Sequence, residues 1–242
     1  MAENLVIIPT YNEQENAESI IRSVFDLEEE FHVLIVDDGS PDGTADIVKG
    51  LMSEYPGKLF IEERNGKQGL GTAYVHGFRW GIKNKYTYLF EMDADFSHNP
   101  KDLVPLLKAC RDEGNQVAIG SRYVTGVNVV NWPMGRVMMS YYASMYVRFI
   151  TGMKFRDTTA GFKCYQASVL EKILSQPIKF VGYAFQIEMK FKAWKYGYKI
   201  KEVPIIFTDR TAGESKMSKG IFTEAVIGVI WLKVWSWFQK WS

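Results

Sequence analysis

The chain has 242 residues, of which 47% are hydrophobic and 24% are charged, and its formal net charge is +1. This length and composition suit one globular domain with a full core. The net charge gives no global field for DNA or RNA, which argues against a nucleic-acid function, so an anionic ligand has to be held by a local basic cluster. Cys110 and Cys164 have neither CxxC nor metal-site spacing, which is typical of packing residues in a reducing compartment.

The N-terminal residues MAENLVIIPTYNE lack the basic region, the long apolar run and the cleavage site of a signal peptide. Near the other end, the apolar stretch from Ala225 to Leu232 is interrupted by Lys233 and is shorter than the roughly 20 residues that span a bilayer. We therefore expect a cytoplasmic protein without a spanning helix. Binding to a membrane surface stays open.

Short apolar runs recur in the first half of the chain, and each precedes a turn and a helical pattern. The predicted strands are LVII at 5–8, VLIV at 33–36, LFI at 59–61, YLFEM at 88–92 and VAIG at 117–120. The predicted helices are Asn16–Phe25, Thr44–Tyr55, Gly71–Lys83 and Lys101–Glu113. This alternation indicates a parallel sheet of βαβ units with helices on both faces.

The second half has a different pattern. It contains an amphipathic segment at Met134–Ile150, a polar cluster at Asp157–Lys163, a predicted helix at Ala184–Tyr196, a predicted strand at Ile200–Phe207 and an aromatic tail.

Acidic residues follow three of the predicted strands, at the sheet edge where ligands gather in parallel sheets. Asp93 and Asp95 follow the fourth strand and form an oxygen-only pair suited to Mg²⁺ or Mn²⁺ together with phosphate oxygens. The alternative is that they cap the helix near Lys101. Asp38 follows the second strand, where its carboxylate can accept hydrogen bonds from a base or ribose.

Five further residues are predicted to meet phosphate charge, since guanidinium groups bind phosphate bidentately. They are Arg122 after the fifth strand, Arg136 and Ser140 at i, i+4 on one helical face, and Arg210 and Lys216 around a Gly213-containing loop. Solvated surface charge is the alternative for each basic residue.

Six ordered motifs carry a family resemblance across about residues 4–220. They are PTYNE, VDDGSPDGT, MDADFSHNP, GSRY, DTTAGFK and VPIIFTDRTAGESKM. Together they resemble the dolichol-phosphate mannose synthase group of inverting family 2 glycosyltransferases. The resemblance implies a GT-A type, Rossmann-like α/β fold, with GDP-mannose as donor and a polyprenyl or dolichyl phosphate as acceptor.

Transferred to this sequence, the resemblance implies three groups of site residues. The nucleotide sugar would be bound by Pro9, Tyr11, Glu13, Val36, Asp38, Asp93, Ala94, Asp95, Arg210 and Lys216. The metal would be held by Asp93 and Asp95, and the acceptor phosphate by Arg122, Arg136 and Ser140. Ser97 stands where some relatives have a Gln that also binds the metal, and a hydroxyl is the poorer ligand.

The expected chemistry needs no protein base, because a phosphate monoester acceptor is already ionised near pH 7. Alignment and stabilisation of the leaving group then remain for the enzyme, with Asp93, Asp95 and Arg122 as the expected catalytic residues. One displacement inverts an α-linked donor to a β-linked product. His76 and His98 are predicted to be structural.

The predicted domain boundary lies at residue 220, with residues 221–242 forming an amphipathic helix. Its tryptophans and its lysines Lys233 and Lys240 are typical of a membrane-interface helix, and a core-packing or dimer helix is the alternative. Met134–Ile150 either packs inside or lines a groove for a lipid tail. A separate membrane subunit or a homodimer is also open.

Two other functions remain open from the sequence. A polyprenyl-phosphate glucosyltransferase, or a family 2 transferase with another donor or an oligosaccharide acceptor, would keep the same motifs. So would a catalytically silent subunit that binds nucleotide sugar and docks on membranes. The choice of mannose rests on the resemblance alone.

Overall fold

The computed structural model describes residues 3–209 and 219–241, without the side chains of Tyr183 and residues 219–225. The main-sheet strands are β1 (Asn4–Thr10), β2 (His32–Asp37), β3 (Leu59–Glu63), β4 (Tyr88–Glu91), β5 (Val117–Ser121), β7 (Lys163–Gln166) and β8 (Ile200–Pro204). Two short strands, β6 (Val129–Val130) and β9 (Phe207–Thr208), pair separately. Arg210 and Lys216, which are predicted from the sequence to bind phosphate, lie outside the described residues.

Helices cover both faces of the sheet, as predicted. They are α1 (Gln14–Phe25), α2 (Thr44–Leu51), α3 (Leu70–Lys83), α4 (Leu103–Arg111), α5 (Met134–Thr151), α6 (Ala167–Leu174), α7 (Tyr183–Lys195) and α8 (Lys219–Ser236). A 3-10 turn, Pro100–Asp102, precedes α4. Among the described helices, none has both the length and the apolar character needed to cross a membrane.

Alternating side chains of the central strands feed two separate cores. Leu5 and Ile7 of β1 pack into one core with α3 and α7, while Val6 and Ile8 pack into the other with α1 and α4. All four residues are fully buried. Because successive strand residues point to opposite faces, an uninterrupted apolar strand requires helices on both sides.

The sheet order is β3-β2-β1-β4-β7-β5-β8, and β7 is antiparallel to both of its neighbours. The fold is therefore mostly parallel, as predicted, but β7 and α6 were not predicted. β7 is only four residues long and begins with the fully buried Lys163. A lysine in a short segment indicates a loop from sequence alone, and its burial depends on partners from β4 and α7.

The predicted strand at 200–207 is two strands. β8 ends at Pro204, and Phe207 then pairs with Val129 in the small sheet. Ile206, between them, is 61% exposed, which marks the point where the chain leaves the main sheet.

The C-terminal helix α8 packs against the domain with one face. Val229 and Leu232 are fully buried, and the Lys179 ammonium lies 3.3 Å from the ring centroid of Trp231. The opposite face leaves Ile227 and Ile230 exposed. The helix therefore carries apolar side chains on both its packed and its exposed face.

Candidate active site

The carboxyl ends of β2, β1 and β4, which are adjacent and parallel, meet at one edge of the sheet. Thr10 at the end of β1 donates a hydrogen bond to Asp37 at the end of β2 (2.8 Å). Ser40 donates to the same carboxylate through its backbone N–H (2.8 Å) and its hydroxyl (2.6 Å). Asp37 therefore fixes the loop after β2, and the predicted convergence of polar segments is present.

Asp38 is held by an arginine that the sequence interpretation missed. Arg64 donates from Nε to Oδ1 of Asp38 (2.7 Å) and from Nη1 to the hydroxyl of Thr72 (2.9 Å). The side chains of the Asp38–Arg64 pair are only 9% and 8% exposed. Arg64 directly follows β3, so the rule that ligands gather at strand ends, applied to the third strand, could have identified it.

The other predicted nucleotide-binding residues after β1 lie at the same edge. Pro9 is opposite Val36 in the strand register, but Val36 is fully buried and supports the edge from the core. The Tyr11 ring lies 5.4 Å from the Lys67 ammonium. Glu13 accepts a hydrogen bond from Asn16 at the start of α1 (3.0 Å).

The loop after β4 presents Asp93 and Asp95. Tyr74 of α3 donates to Oδ1 of Asp93 (3.0 Å), and the backbone N–H of Ser97 donates to Oδ1 of Asp95 (3.1 Å). Ala94 between them is buried. The start of the following helical turn is capped by Asn99, which accepts from the N–H of Lys101 (3.1 Å). Asn99, rather than Asp93 or Asp95, therefore caps this turn.

The buried His98 supports the loop that carries Asp93 and Asp95. Its Nδ1 accepts a hydrogen bond from the backbone N–H of Asp93 (3.2 Å), and its ring stacks on Phe162 at 4.8 Å. Burial lowers the pKa of His98, and the nearby Asp93 only partly opposes this shift. The imidazole is therefore neutral, in agreement with the structural role predicted for it.

Arg122, at the end of β5, is clamped by a buried aspartate. Asp157 accepts from Nε (2.7 Å), Nη2 (2.7 Å) and the backbone N–H (3.0 Å) of Arg122. Thr159 accepts a further hydrogen bond from Nη2 (2.8 Å). The guanidinium lies within 5.6 Å of the ring centroids of Tyr123, Trp132 and Phe207. Its orientation is thus set before any ligand binds.

The other two predicted acceptor residues lie near Arg122 and also have partners. Arg136 of α5 donates from Nη1 to both carboxylate oxygens of Asp209, each at 2.9 Å. The hydroxyl of Tyr123 donates to that of Ser140 (2.8 Å). Arg122 and Arg136 both lie against Trp132, so the structure brings the three predicted acceptor residues together.

Glu202 of β8 organises the segment that holds Arg122. Its Oε1 accepts from Ser121 (2.7 Å) and from the backbone N–H of Asp157 (2.9 Å), and its Oε2 accepts from the backbone N–H of Arg156 (2.7 Å). Sequence alone gave no signal for this residue, because β8 reads as an ordinary half-exposed strand.

A buried polar network connects the loop after β4 with the segment around Asp157. Lys163 of β7 lies 3.0 Å from Glu91 at the end of β4, and Gln186 of α7 donates to Glu91 (2.7 Å). Lys190 donates to the carbonyl of Ala160 (2.6 Å), three residues after Asp157. Burial raises the pKa of Glu91 and lowers the pKa of Lys163. The network ties the Asp93 loop to the Asp157 segment.

An apolar groove of about 620 Å³ runs along α5 beside Tyr123. Its walls include Val127, Met134, Met138, Tyr142 and Met145, together with Arg148 and Arg156. The segment Met134–Ile150, for which core packing and a groove were the alternatives, does both: Val147 packs into the core while Met134, Met138 and Met145 line the groove.

The pair Asp93 and Asp95 fits a divalent ion that draws most of its ligands from outside the protein. In residues 3–209 and 219–241, no group of three or more His, Cys, Asp or Glu side chains is placed to hold a metal. Asp93 keeps 37% of its side chain exposed. Mg²⁺ and similar hard cations take one or two carboxylates plus substrate phosphate and water, which suits this donor set.

Curated proteins similar to this chain share most of its length. The chain is 46% identical over 225 residues to a protein of Mycolicibacterium smegmatis named polyprenol monophosphomannose synthase, covering 93% of this chain and 84% of that protein. It is also 46% identical over 225 residues to the undecaprenyl-phosphate mannosyltransferase of Micrococcus luteus, covering 93% of this chain and 91% of that protein.

Solved structures share the fold. A mannosyltransferase from Pyrobaculum calidifontis, solved with GDP-Man and Mn²⁺, matches with a TM-score of 0.60 at 14% identity, covering 95% of this chain and 69% of that chain. The family model "Glycosyl transferase family 2" matches residues 5–174. With its carboxylates at the sheet edge and its GT-A type architecture, the chain belongs to glycosyl transferase family 2 and is a glycosyltransferase.

Proposed function

We propose that this enzyme transfers mannose from GDP-mannose to a polyprenyl or dolichyl phosphate, giving a polyprenyl phosphate mannose. The observation that carries the proposal is the 46% identity, across 93% of the chain, with two proteins named for mannose transfer to polyprenyl carriers. The grouping of Arg122, Arg136 and Ser140 next to an apolar groove supports the acceptor, which has a phosphate head and an isoprenoid tail.

The donor lies along the edge formed by β1, β2 and β4. Pro9, Tyr11, Glu13 and Asp38 border the nucleoside, and the diphosphate extends toward Asp93 and Asp95, where Mg²⁺ or Mn²⁺ would be held. The ion supplies positive charge to the leaving diphosphate. Arg210 and Lys216, outside the described residues, are proposed to contact the same diphosphate, as the family resemblance implies.

The acceptor phosphate binds at Arg122, Arg136 and Ser140. To reach Arg136 and Ser140 it displaces the carboxylate of Asp209 and the hydroxyl of Tyr123, which occupy these groups now. Arg122 stays fixed by Asp157. Since the phosphate is already ionised, the site needs to align it with the anomeric carbon rather than deprotonate it, and one displacement yields the β-linked product.

A membrane surface is the proposed source of the lipid. The near end of the groove, at Met134 and Met138, holds the isoprene units that follow the phosphate. Beside it, α5 and α8 expose large apolar side chains, which suit the interfacial layer of a bilayer. The most exposed are Met134, Tyr142 and Phe149 of α5, Ile227 of α8, and Trp237 and Phe238 directly after α8. The enzyme would therefore act as a peripheral protein on the cytoplasmic leaflet.

The test incubates the purified protein with Mg²⁺, a short polyprenyl phosphate and radiolabelled GDP-mannose or UDP-glucose, with and without a chelator. Chelator-sensitive label in the organic phase from GDP-mannose is the expected result. Label from UDP-glucose alone would keep the acceptor and change the sugar. Nucleotide-sugar binding without lipid label from either donor would contradict the proposal and favour a silent subunit.

A further inference from the structure

Two arginines at the far end of the apolar groove are not paired with carboxylates of their own segment. Arg148 of α5 and Arg156 both line the groove. Between Tyr123 and Arg156 the sequence contains basic residues, including Lys154, but no Asp or Glu. Arg156 donates from Nη1 to the carbonyl of Val124 (3.1 Å), which holds it at the rim of the groove.

Arg148 also carries an unsatisfied donor. Its Nε is buried and has no hydrogen-bond partner among the described residues. A buried donor without an acceptor costs about 1–3 kcal/mol, more when the group is charged, and such a group in a native fold needs an explanation. No Asp or Glu within this segment neutralises the Arg148 charge, and the side chain borders a groove through which an anion can approach it.

This position is separate from the expected acceptor phosphate. Arg148 follows Arg136 by twelve residues and Ser140 by eight on the same helix. At a rise of 1.5 Å per residue, these separations are about 18 Å and about 12 Å along the helix axis. Arg148 thus lies about two to three helical turns beyond Ser140 and Arg136, which favours a second anion over the acceptor phosphate at this end of the groove.

We infer that Arg148 and Arg156 bind the phosphodiester head group of an anionic membrane lipid at the far end of the groove. Guanidinium groups suit phosphate oxygens, and the apolar wall at Met145 suits the adjoining acyl chain. Phe149, 86% exposed on the next residue of α5, would enter the same lipid layer. The inference rests on the proposed membrane surface and is independent of which sugar is transferred.

The test compares cosedimentation of the full chain with vesicles of phosphatidylcholine alone and of phosphatidylcholine with phosphatidylglycerol. The wild type is expected to prefer the anionic vesicles, and the double variant R148Q/R156Q to lose about thirtyfold in affinity for them, from about 1 kcal/mol for each basic residue at an anionic surface. The matched control is R79Q/K83Q, which removes two cations from the exposed face of α3. It should bind almost as the wild type does.

Each other outcome is informative. If the wild type binds neither vesicle, the proposed membrane surface fails. If it binds both equally, or if R148Q/R156Q keeps the anionic preference, the head-group site is wrong while the surface stands. A second measurement titrates inorganic phosphate and a short polyprenyl phosphate without vesicles. Loss of either affinity in R148Q/R156Q would assign the arginines to a soluble anion or to the acceptor and would overturn the inference.

Discussion

The phenolic oxygen of Tyr74 lies 3.0 Å from Oδ1 of Asp93, so helix α3 fixes one oxygen of the first acidic residue at the sheet edge. Burial raises the pKa of Tyr74 well above its usual value, and the negative charge of Asp93 adds to this shift. The phenol is therefore always a donor. Its ring stacks on Phe185 at 6.2 Å, which leaves the hydroxyl little freedom to turn away.

Replacing Tyr74 with Phe should lower kcat about tenfold and lower the free energy of unfolding by no more than about 3 kcal/mol. The ring remains packed, and only one hydrogen bond to a charged group, about 1.5–3 kcal/mol, is removed. Steady-state kinetics and thermal unfolding measure the two effects. The matched control is Tyr86→Phe, which removes the hydrogen bond to His32 (2.8 Å) near the amino ends of β2 and β4, at the opposite end of the strands. Unchanged kcat in the Tyr74 variant would show that Asp93 needs no such support.

The Asp93→Asn variant should lose transfer by about a hundredfold or more, because a neutral amide is a poor ligand for a hard cation and the leaving diphosphate loses its counter-charge. Binding of GDP, measured by calorimetry with and without Mn²⁺, should lose its metal dependence. Asp112→Asn at the exposed end of α4 is the control. An Asp93 variant that stays active and responds to metal would remove this residue from the metal site.

Cutting the clamp on Arg122 should destabilise the fold. Asp157→Asn leaves a buried guanidinium without its counter-charge, which costs about 3–5 kcal/mol. Urea unfolding gives the difference. Glu29→Gln, which weakens the partly exposed pair with Arg111, should cost no more than about 1 kcal/mol. If both variants lose the same small amount, Asp157 is not the buried anchor that the geometry indicates.

The same aspartate predicts a pH dependence. Burial alone would raise the pKa of Asp157, but the charge and hydrogen bonds of Arg122 overcome this and hold the pKa below its usual value. A depressed carboxyl pKa stabilises the folded state above the unfolded pKa of about 3.9, and that contribution is lost as pH falls through the folded pKa. The difference in unfolding free energy between wild type and Asp157→Asn should stay constant above about pH 5 and shrink in stronger acid. A difference that grows toward low pH would contradict this assignment.

Two glycines in helices should respond oppositely to alanine. A Cβ at Gly77 of α3 would lie 2.5 Å from Cγ2 of Ile7 in β1, so Gly77→Ala should destabilise the fold by about 1–3 kcal/mol. Gly50 of α2 has no atom within 4 Å of such a Cβ, and Gly50→Ala should stabilise by about 0.5–1 kcal/mol. Thermal unfolding of both variants is the check. Similar destabilisation of both would mean that α3 can move away from β1.

Much of the proposed donor site could be predicted from the sequence, because its signals are local. β1, β2 and β4 are apolar runs that end in acidic loops, and the rule for parallel sheets brings those ends together. The structure bears out this convergence. The sequence could not show which partners hold individual side chains. The position of Arg64 after β3 does not reveal that it contacts Asp38. Likewise, nothing in the sequence around Glu202 reveals that it accepts a hydrogen bond from the backbone of Asp157.

The proposed acceptor site was harder to predict from the sequence, for a related reason. Arg136 and Ser140 could be placed on one helical face from their spacing, but their present partners, Asp209 and Tyr123, come from other parts of the chain. Likewise, the charged Lys163 indicates a loop when the sequence is considered alone. In the structure, its contacts with Glu91 and Gln186 allow it to be buried in a strand. Long-range pairing of this kind leaves no periodic trace in the sequence.

The place of β7 has a consequence for how the chain can be divided. β4 and β5 do not touch each other in the sheet, because each pairs with β7. A fragment that ended before Lys163 would carry every donor motif of the first half, yet it would leave β4 as an unpaired edge and β5 without a connection to the central strands. The protein therefore cannot be separated into a donor-binding piece and an acceptor-binding piece. During synthesis, β5 can join the central strands only after β7 has been made, and the Asp157 segment that holds Arg122 precedes β7 in the chain.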